Sequence, residues 1–246
     1  MAAIAPLPPH HRELVTEQWC LSVDLGQAQD PTAIAVLQHR VVKHVRFDGK
    51  VFAAGEVVDV RHLQRLPLGF SYPAQVAELQ KLLARHPLNS GCTLVADETG
   101  VGRPVCDLLN DSGLKPVRVS ITTGESFSPN RGGWHVAKSL LISTLDAALH
   151  SGSLRVAAEL TEAGPLAEEL KDLRRKVSAA GRYQFEARVG AHDDIVLALA
   201  IGLWTCVGLP KRKPGMSGRA VGKLPPGQEP SPLSGRWTSL RNGPSP

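Results

Sequence analysis

Hydrophobic and polar residues follow two periods along the chain, and the first gives way to the second after Leu66. Trp19 to Leu25 reads as a buried strand that closes at Gly26, and Thr32 to Gln38 reads as a second strand. The turn-forming stretch between them, Gly26 to Pro31, predicts a hairpin. Residues 41–53 keep no clean period and read as a variable loop or an irregular hairpin. Glu56 to Leu66 alternates well enough for a third strand. Three consecutive antiparallel strands are therefore expected first.

Helical spacing then takes over. Pro73 to Arg85 sets Val76, Leu79, Leu82 and Leu83 on one stripe. Thr93 to Ala96 is a short buried strand that runs into Asp97-Glu98-Thr99-Gly100, and Val101 to Leu109 is a helix with Pro104 in its first turn. Pro116 to Ile121 reads as a strand, Lys138 to Leu149 as a helix, and Leu154 to Ala157 as an extended piece. Pro165 to Val177 reads as a charged amphipathic helix, and Tyr183 to Glu186 as a short strand. Residues 122–134, rich in Gly, Ser, Asn and Pro, read as a long loop. The last element, Asp194 to Trp204, is apolar on nearly every face, which predicts a buried helix. This order predicts an α/β fold: a mixed sheet with three antiparallel strands first, parallel strands after, and helices on both faces.

Bulk composition narrows the class. Hydrophobic content of 42% and charged content of 21% over 246 residues suit a soluble globular protein. Cys20, Cys92, Cys106 and Cys206 are far apart with no Cys-x-x-Cys spacing, which argues against a zinc knuckle or a disulfide framework and for a reducing cytoplasm. No signal peptide is visible, and the apolar run from Ile195 to Leu209 is short for a membrane span. Residues 1–16 read as a flexible N-terminus, 17–207 as one domain, and 208–246 as a disordered Pro/Gly-rich tail. The tail carries Lys211, Arg212, Lys213, Arg219, Lys223, Arg236 and Arg241 against Glu229 alone. It therefore accounts for the whole net charge of +5 and suits nonspecific contact with nucleic acid.

Three buried elements carry Asp at their ends. Asp24 sits in Leu-Ser-Val-Asp-Leu-Gly, Asp97 in Leu-Val-Ala-Asp-Glu-Thr-Gly, and Asp193 and Asp194 open the final helix behind His192. Each has an ordinary structural explanation: Asp forms turns and caps helices. Together they suggest more. If the first and fourth strands are sheet neighbours, Asp24 and Asp97 lie roughly 5 Å apart, and the helix head adds a third carboxylate. Such a group stays charged only around cations. Oxygen ligands of this kind suit Mg²⁺ or Mn²⁺, and two such ions about 3.5–4 Å apart can drive phosphodiester hydrolysis. Helix phase favours Asp194 over Asp193 as the direct ligand, because Asp194 shares a stripe with Leu197, Ala198 and Ile201. Asp30 reads as a turn former or an outer ligand. Glu98 is expected on the opposite sheet face from Asp97.

The ordered set Asp-Leu-Gly-x-x-x-Asp-Pro-Thr-Ala-Ile (24–34), Asp-Glu-Thr-Gly-Val-Gly (97–102) and His-Asp-Asp-Ile-Val-Leu-Ala-Leu-Ala (192–200) resembles the nuclease domain of phage terminase large subunits. The resemblance implies a ribonuclease H-like fold and a two-metal endonuclease that cuts double-stranded DNA during genome packaging. It implies Asp24, Asp97 and one or both of Asp193 and Asp194 as metal ligands, with Asp30 peripheral, in the cytoplasm of a bacterial host. A packaging ATPase or portal protein would be its partner. The chain has no Gly-x-x-x-x-Gly-Lys-[Ser/Thr] loop, so it reads as a standalone nuclease rather than a motor. Arg131, His135 and Lys138, after the glycine-rich loop, are candidates to meet DNA phosphates, as are Lys211, Arg212 and Lys213. Three other readings remain: a DNA-binding remnant without catalysis, a Holliday-junction resolvase, and an actin-like phosphotransferase.

Overall fold

Three long strands open the chain in the computed structural model, which describes residues 4–26, 30–100, 102–177, 183–187 and 192–209. β1 (His11–Asp24), β2 (Ala33–Arg46) and β3 (Val51–Arg65) are antiparallel neighbours. They are longer than the apolar pattern predicts. β1 starts at His11 rather than Trp19, because residues 12–18 are exposed and the strand is held there by pairing with β2, as in His11 with Arg46. Residues 41–53, expected as a loop or irregular hairpin, form the turn end of the β2–β3 hairpin, which is the second of those alternatives. Its irregularity comes from two register shifts, which leave Ala54 and Arg61 as extra residues on β3. An extra residue breaks the alternation from which a strand is recognised.

β4 (Cys92–Asp97) lies parallel to β1, and β5 (Val117–Thr122) lies parallel to β4. The expected loop at 122–134 instead contains β6 (Phe127–Asn130), which forms a hairpin with β7 (Gly133–Ala137). Aromatic packing anchors this hairpin: the rings of Phe127 and Trp134 meet Trp204 edge-on at 5.5 and 6.1 Å. β8 (Leu154–Val156) adds to the far edge beside β3, giving the order β6-β7-β5-β4-β1-β2-β3-β8.

Helices α1 (Tyr72–Leu83) and α2 (Gly102–Asp111) cover one face, where Leu21, Val23, Leu94 and Ala96 point. Helices α3 (Lys138–His150), α4 (Ala163–Asp172) and α5 (Asp194–Val207) cover the other, over Cys20, Val95 and Val119. The expected helix from Pro165 to Val177 stops at Asp172. Leu173–Val177 is a strand, β9, paired with β10 (Tyr183–Ala187), so Arg174, Arg175 and Lys176 do not lie on a helix. No helix among the described residues is long and apolar enough to cross a membrane.

The α5 helix is the centre of the second core, with Asp194 and nearly every residue after it buried. It approaches β1 closely enough for Ser22 Oγ to donate to the Ala198 carbonyl at 2.7 Å. Gly202 permits that approach: a Cβ there would lie 2.4 Å from both Leu37 Cδ1 and Ser22 Oγ. Neither atom can yield freely, since Leu37 is fully buried and Ser22 holds α5. Gly202→Ala should cost about 1–3 kcal/mol of stability, read as a lower urea midpoint with an unchanged slope. Unaltered stability would mean that α5 can shift without cost.

Candidate metal centre

Strand register builds the first wall of the site. Val23 of β1 pairs with Ala96 of β4, so the residues that follow, Asp24 and Asp97, end adjacent parallel strands at the same level. By alternation both face α5, on the side of Cys20 and Val95. Helix α5 presents its first turn, with Asp193 and Asp194, over this point. Charge coupling links all four: Asp97, Asp194 and Asp193 each add to the forces that raise the Asp24 pKa.

Asp97 is fixed by the turn that follows it. Thr99 donates from its backbone N–H (2.8 Å) and its hydroxyl (2.5 Å) to Asp97 Oδ1. The Thr99 hydroxyl oxygen in turn accepts the Ile121 N–H at 2.8 Å. The chain then folds back so tightly that a Cβ on Gly102 would sit 2.1 Å from the Asp97 carbonyl oxygen. Glu98 takes no part. Its carboxylate accepts from Ser120 Oγ at 2.5 Å and lies 3.7 Å from Arg118, on the α2 side of the sheet.

The head of α5 divides its two aspartates. Asp193 Oδ2 accepts from Lys138 Nζ at 2.6 Å. Asp194 is 6% exposed, and its Oδ2 is buried with no hydrogen-bond partner among the described residues. His192 Nδ1 stands 3.6 Å from Asp194 and 3.7 Å from Asp30. One ligand atom from each of Asp30, His192 and Asp194 lies within 4.8 Å of the others, so Asp30 and His192 form a solvent-side rim.

Neither aspartate caps the helix it opens. That work is done by Glu169 of α4, whose carboxylate accepts the Val196 N–H at 2.9 Å and the Ile195 N–H at 3.5 Å. Arg65, from the end of β3, closes an ion pair on the same carboxylate. Sequence reasoning missed both residues. In the sequence, Glu168-Glu169 looks like an ordinary charged helix face. The capping explanation for Asp193 and Asp194 therefore falls away: Asp193 is paired with Lys138 instead, and Asp194 keeps its unpartnered oxygen.

The electrostatics are those of a site built around positive charge. Burial, followed by repulsion from Asp97, Asp194 and Asp193, pushes the Asp24 carboxyl well above the usual range, with Lys138 opposing. Burial raises Asp97 against the pull of its Thr99 hydrogen bonds. Burial, then the Glu169 charge, lifts Asp194 to about 6, with His192 and Arg65 opposing. Three carboxylates whose charged forms are disfavoured, one with an orphaned buried oxygen, match the oxygen-donor set of hard divalent cations.

Of the residues expected to contact DNA, Lys138 reaches the site through its pair with Asp193. Arg131 is exposed in the β6–β7 turn, at the opposite end of β7 from Lys138. His135 pairs with Ser120 and faces away from the Trp134 and Val136 side of the sheet. Lys211, Arg212 and Lys213 lie outside the described residues.

No protein-family model matches the chain. It is 24% identical over 207 residues to the large terminase subunit of Thermus virus P23-45, a match spanning 82% of this chain and 36% of that protein. The chain thus spans about a third of the length of the curated relative it matches. Among solved structures, the large terminase nuclease of thermophilic phage G20c with bound magnesium aligns with a TM-score of 0.53 and 22% identity, over 82% of this chain and 92% of that one. The same nuclease with bound cobalt gives the same values. The large terminase nuclease domain of Thermus phage P74-26 aligns at 0.51 with 21% identity, over 82% and 89%. The chain therefore has the ribonuclease H-like fold of phage large-terminase nuclease domains, and the curated protein to which its sequence is similar is a phage large terminase.

Proposed function

We propose that this chain is a divalent-metal-dependent endonuclease of the phage packaging type, acting on double-stranded DNA. One observation carries the reading: Glu169 caps α5, so Asp194 keeps a buried oxygen with no hydrogen-bond partner among the described residues, while its charge, with those of Asp97 and Asp193, acts on the buried Asp24. Asp24, Asp97 and Asp194 are the residues to hold metal, with Asp193 beside them and Asp30 and His192 at the rim. Two Mg²⁺ or Mn²⁺ ions would supply a polarised phosphate and an activated water. The chain's own groups do the rest. Thr99 keeps Asp97 from rotating, and Glu169 fixes the head of α5. Lys138 balances Asp193 and supplies a cation for an incoming phosphate. The relative named as a terminase large subunit supports a packaging role, for which a separate ATPase or portal protein would be the partner.

The test is cleavage of supercoiled plasmid by the full chain. Nicked and linear product should form with Mg²⁺ or Mn²⁺, stop with EDTA, and return when Mn²⁺ is added in excess. Cleavage that persists in EDTA would overturn the metal reading. A strong preference for four-way junctions over linear duplex would move the protein to the resolvase class.

A further inference from the structure

A cavity lies on the α1 face of the sheet. It has a volume of about 290 Å³, and its floor is Trp19, Val36, Leu82 and Leu88. Gln38, Arg61, His62, Arg85 and His86 complete the lining with Pro87, and no acidic residue among the described residues lines it. Trp19 is five residues before Asp24 on β1, so about 17 Å separates them along the strand. Odd-numbered β1 residues face α1, whereas Asp24 faces α5. This cavity is separate from the carboxylate site.

Its basic side has a structural origin. The register of β3 against β2 jumps between Val36 and Leu37, so that His62 pairs with Val36, Val60 with Leu37, and Arg61 is extra. That bulge brings both Arg61 and His62 into the cavity lining, where strict alternation would send one of them through the sheet. Arg61 is then steered. Its Nε donates to Gln38 Oε1 at 2.7 Å, and Gln38 is itself only 7% exposed. Asp59 stands 3.9 Å from the Arg61 guanidinium but is already paired with Arg40. Arg85 and His86 have a plain explanation in the C-terminal dipole of α1. Arg61 is placed by the bulge and by Gln38, which accepts from both Nε and Nη2, with Asp59 at the edge of ion-pair distance. Trp19 has its indole N–H engaged by Glu17 at 2.8 Å, so it offers the cavity ring surface rather than a donor.

A flat apolar floor under a rim of cations, with no carboxylate among the lining residues, selects a flat group that carries negative charge. We propose that this cavity is a binding site for a mononucleotide, with the base on Trp19 and the phosphate against Arg61 and Arg85. The volume is near the lower end for small-molecule sites, roughly 300–1,000 Å³, which suits one nucleotide and excludes a duplex. Stacking on an aromatic and pairing with guanidinium are the usual means of holding the two halves of such a ligand.

Calorimetry of the full chain with AMP, in EDTA, tests this apart from any nuclease activity. AMP should bind, and Arg61→Met and Trp19→Leu should each weaken it at least tenfold. Arg61→Met should leave plasmid cleavage unchanged, and its circular dichroism should match the parent. Two further ligands separate the sources of affinity. Inorganic phosphate binding as tightly as AMP would overturn the nucleotide assignment in favour of a bare anion site. Adenosine binding as tightly as AMP would overturn the role of Arg61 and Arg85. No heat and no chemical-shift change with AMP at millimolar concentration would reject the site outright.

Discussion

Asp24→Asn should reduce metal-dependent cleavage by on the order of 10³-fold, since the ions' charge stabilisation is worth several kcal/mol. The same change should stabilise the protein in EDTA, by a few degrees, roughly the response to 1 kcal/mol in a domain of this size. The two effects have one cause. Burial and three neighbouring carboxylates disfavour the charged form of Asp24 in the folded chain. The unfolded chain carries that charge freely, with a pKa near about 3.9. A folded pKa above the unfolded one means that the folded state binds the proton more tightly. The group's contribution is fully present below about pH 4 and is lost as pH rises through the folded value. Asp194, lifted to about 6, acts in the same direction. In EDTA, the gap between variant and parent should therefore open as pH rises from about 4 to 7. With saturating Mn²⁺ the order should reverse, because only the parent has the full ligand set. Melting curves across pH, with and without Mn²⁺, read both effects. A variant less stable than its parent in EDTA at pH 7 would show that Asp24 is a turn former and not a strained ligand.

Glu169→Ala should be the most damaging single change away from the carboxylates themselves. It strips the cap from α5, leaving the Val196 and Ile195 N–H groups without an acceptor inside the core. It also leaves Arg65 without its partner. Removing one member of a buried pair and one helix cap together should cost about 3–4 kcal/mol, measured by urea unfolding. Glu169→Gln keeps an acceptor for Val196 and should cost about half of that. The catalytic signature separates positioning from mere stability. At a temperature where Glu169→Gln is fully folded, the Mn²⁺ concentration for half-maximal cleavage should rise, since Asp194 directly precedes the two capped N–H groups. An unchanged metal requirement would confine Glu169 to a structural role.

The legible part of the site was local. Asp24 and Asp97 each follow a short buried strand, and Asp194 opens a helix whose apolar phase points inward. Those are relations over a few residues, and they placed the carboxylates correctly at the ends of β1 and β4 and at the head of α5. What stayed hidden depends on distant partners. Glu169 reaches Arg65 across 104 positions, and Ser22 reaches Ala198 across 176. Neither contact leaves a mark on its neighbours in the chain. The first half of β1 was hidden for a different reason. Its residues are exposed and held by backbone pairing, which carries no side-chain period. The β6–β7 hairpin was hidden because Phe127 and Trp134 are isolated aromatics in a polar stretch, stabilised by Trp204 some seventy residues later in the chain.

The depth at which α5 is buried bears on how the protein fails. Asp194 begins the helix that runs through the larger core, and Gly202 and Ser22 bind that helix to β1. Active-site loops are commonly drawn from the least stable parts of a fold. Here the third carboxylate belongs to the buried core, which should open last. Metal capacity and the core should be lost in one cooperative step on heating, with no intermediate that is folded but unable to hold its ions. On the proposed function, activity would be switched by whether the domain is folded, not by how its site moves.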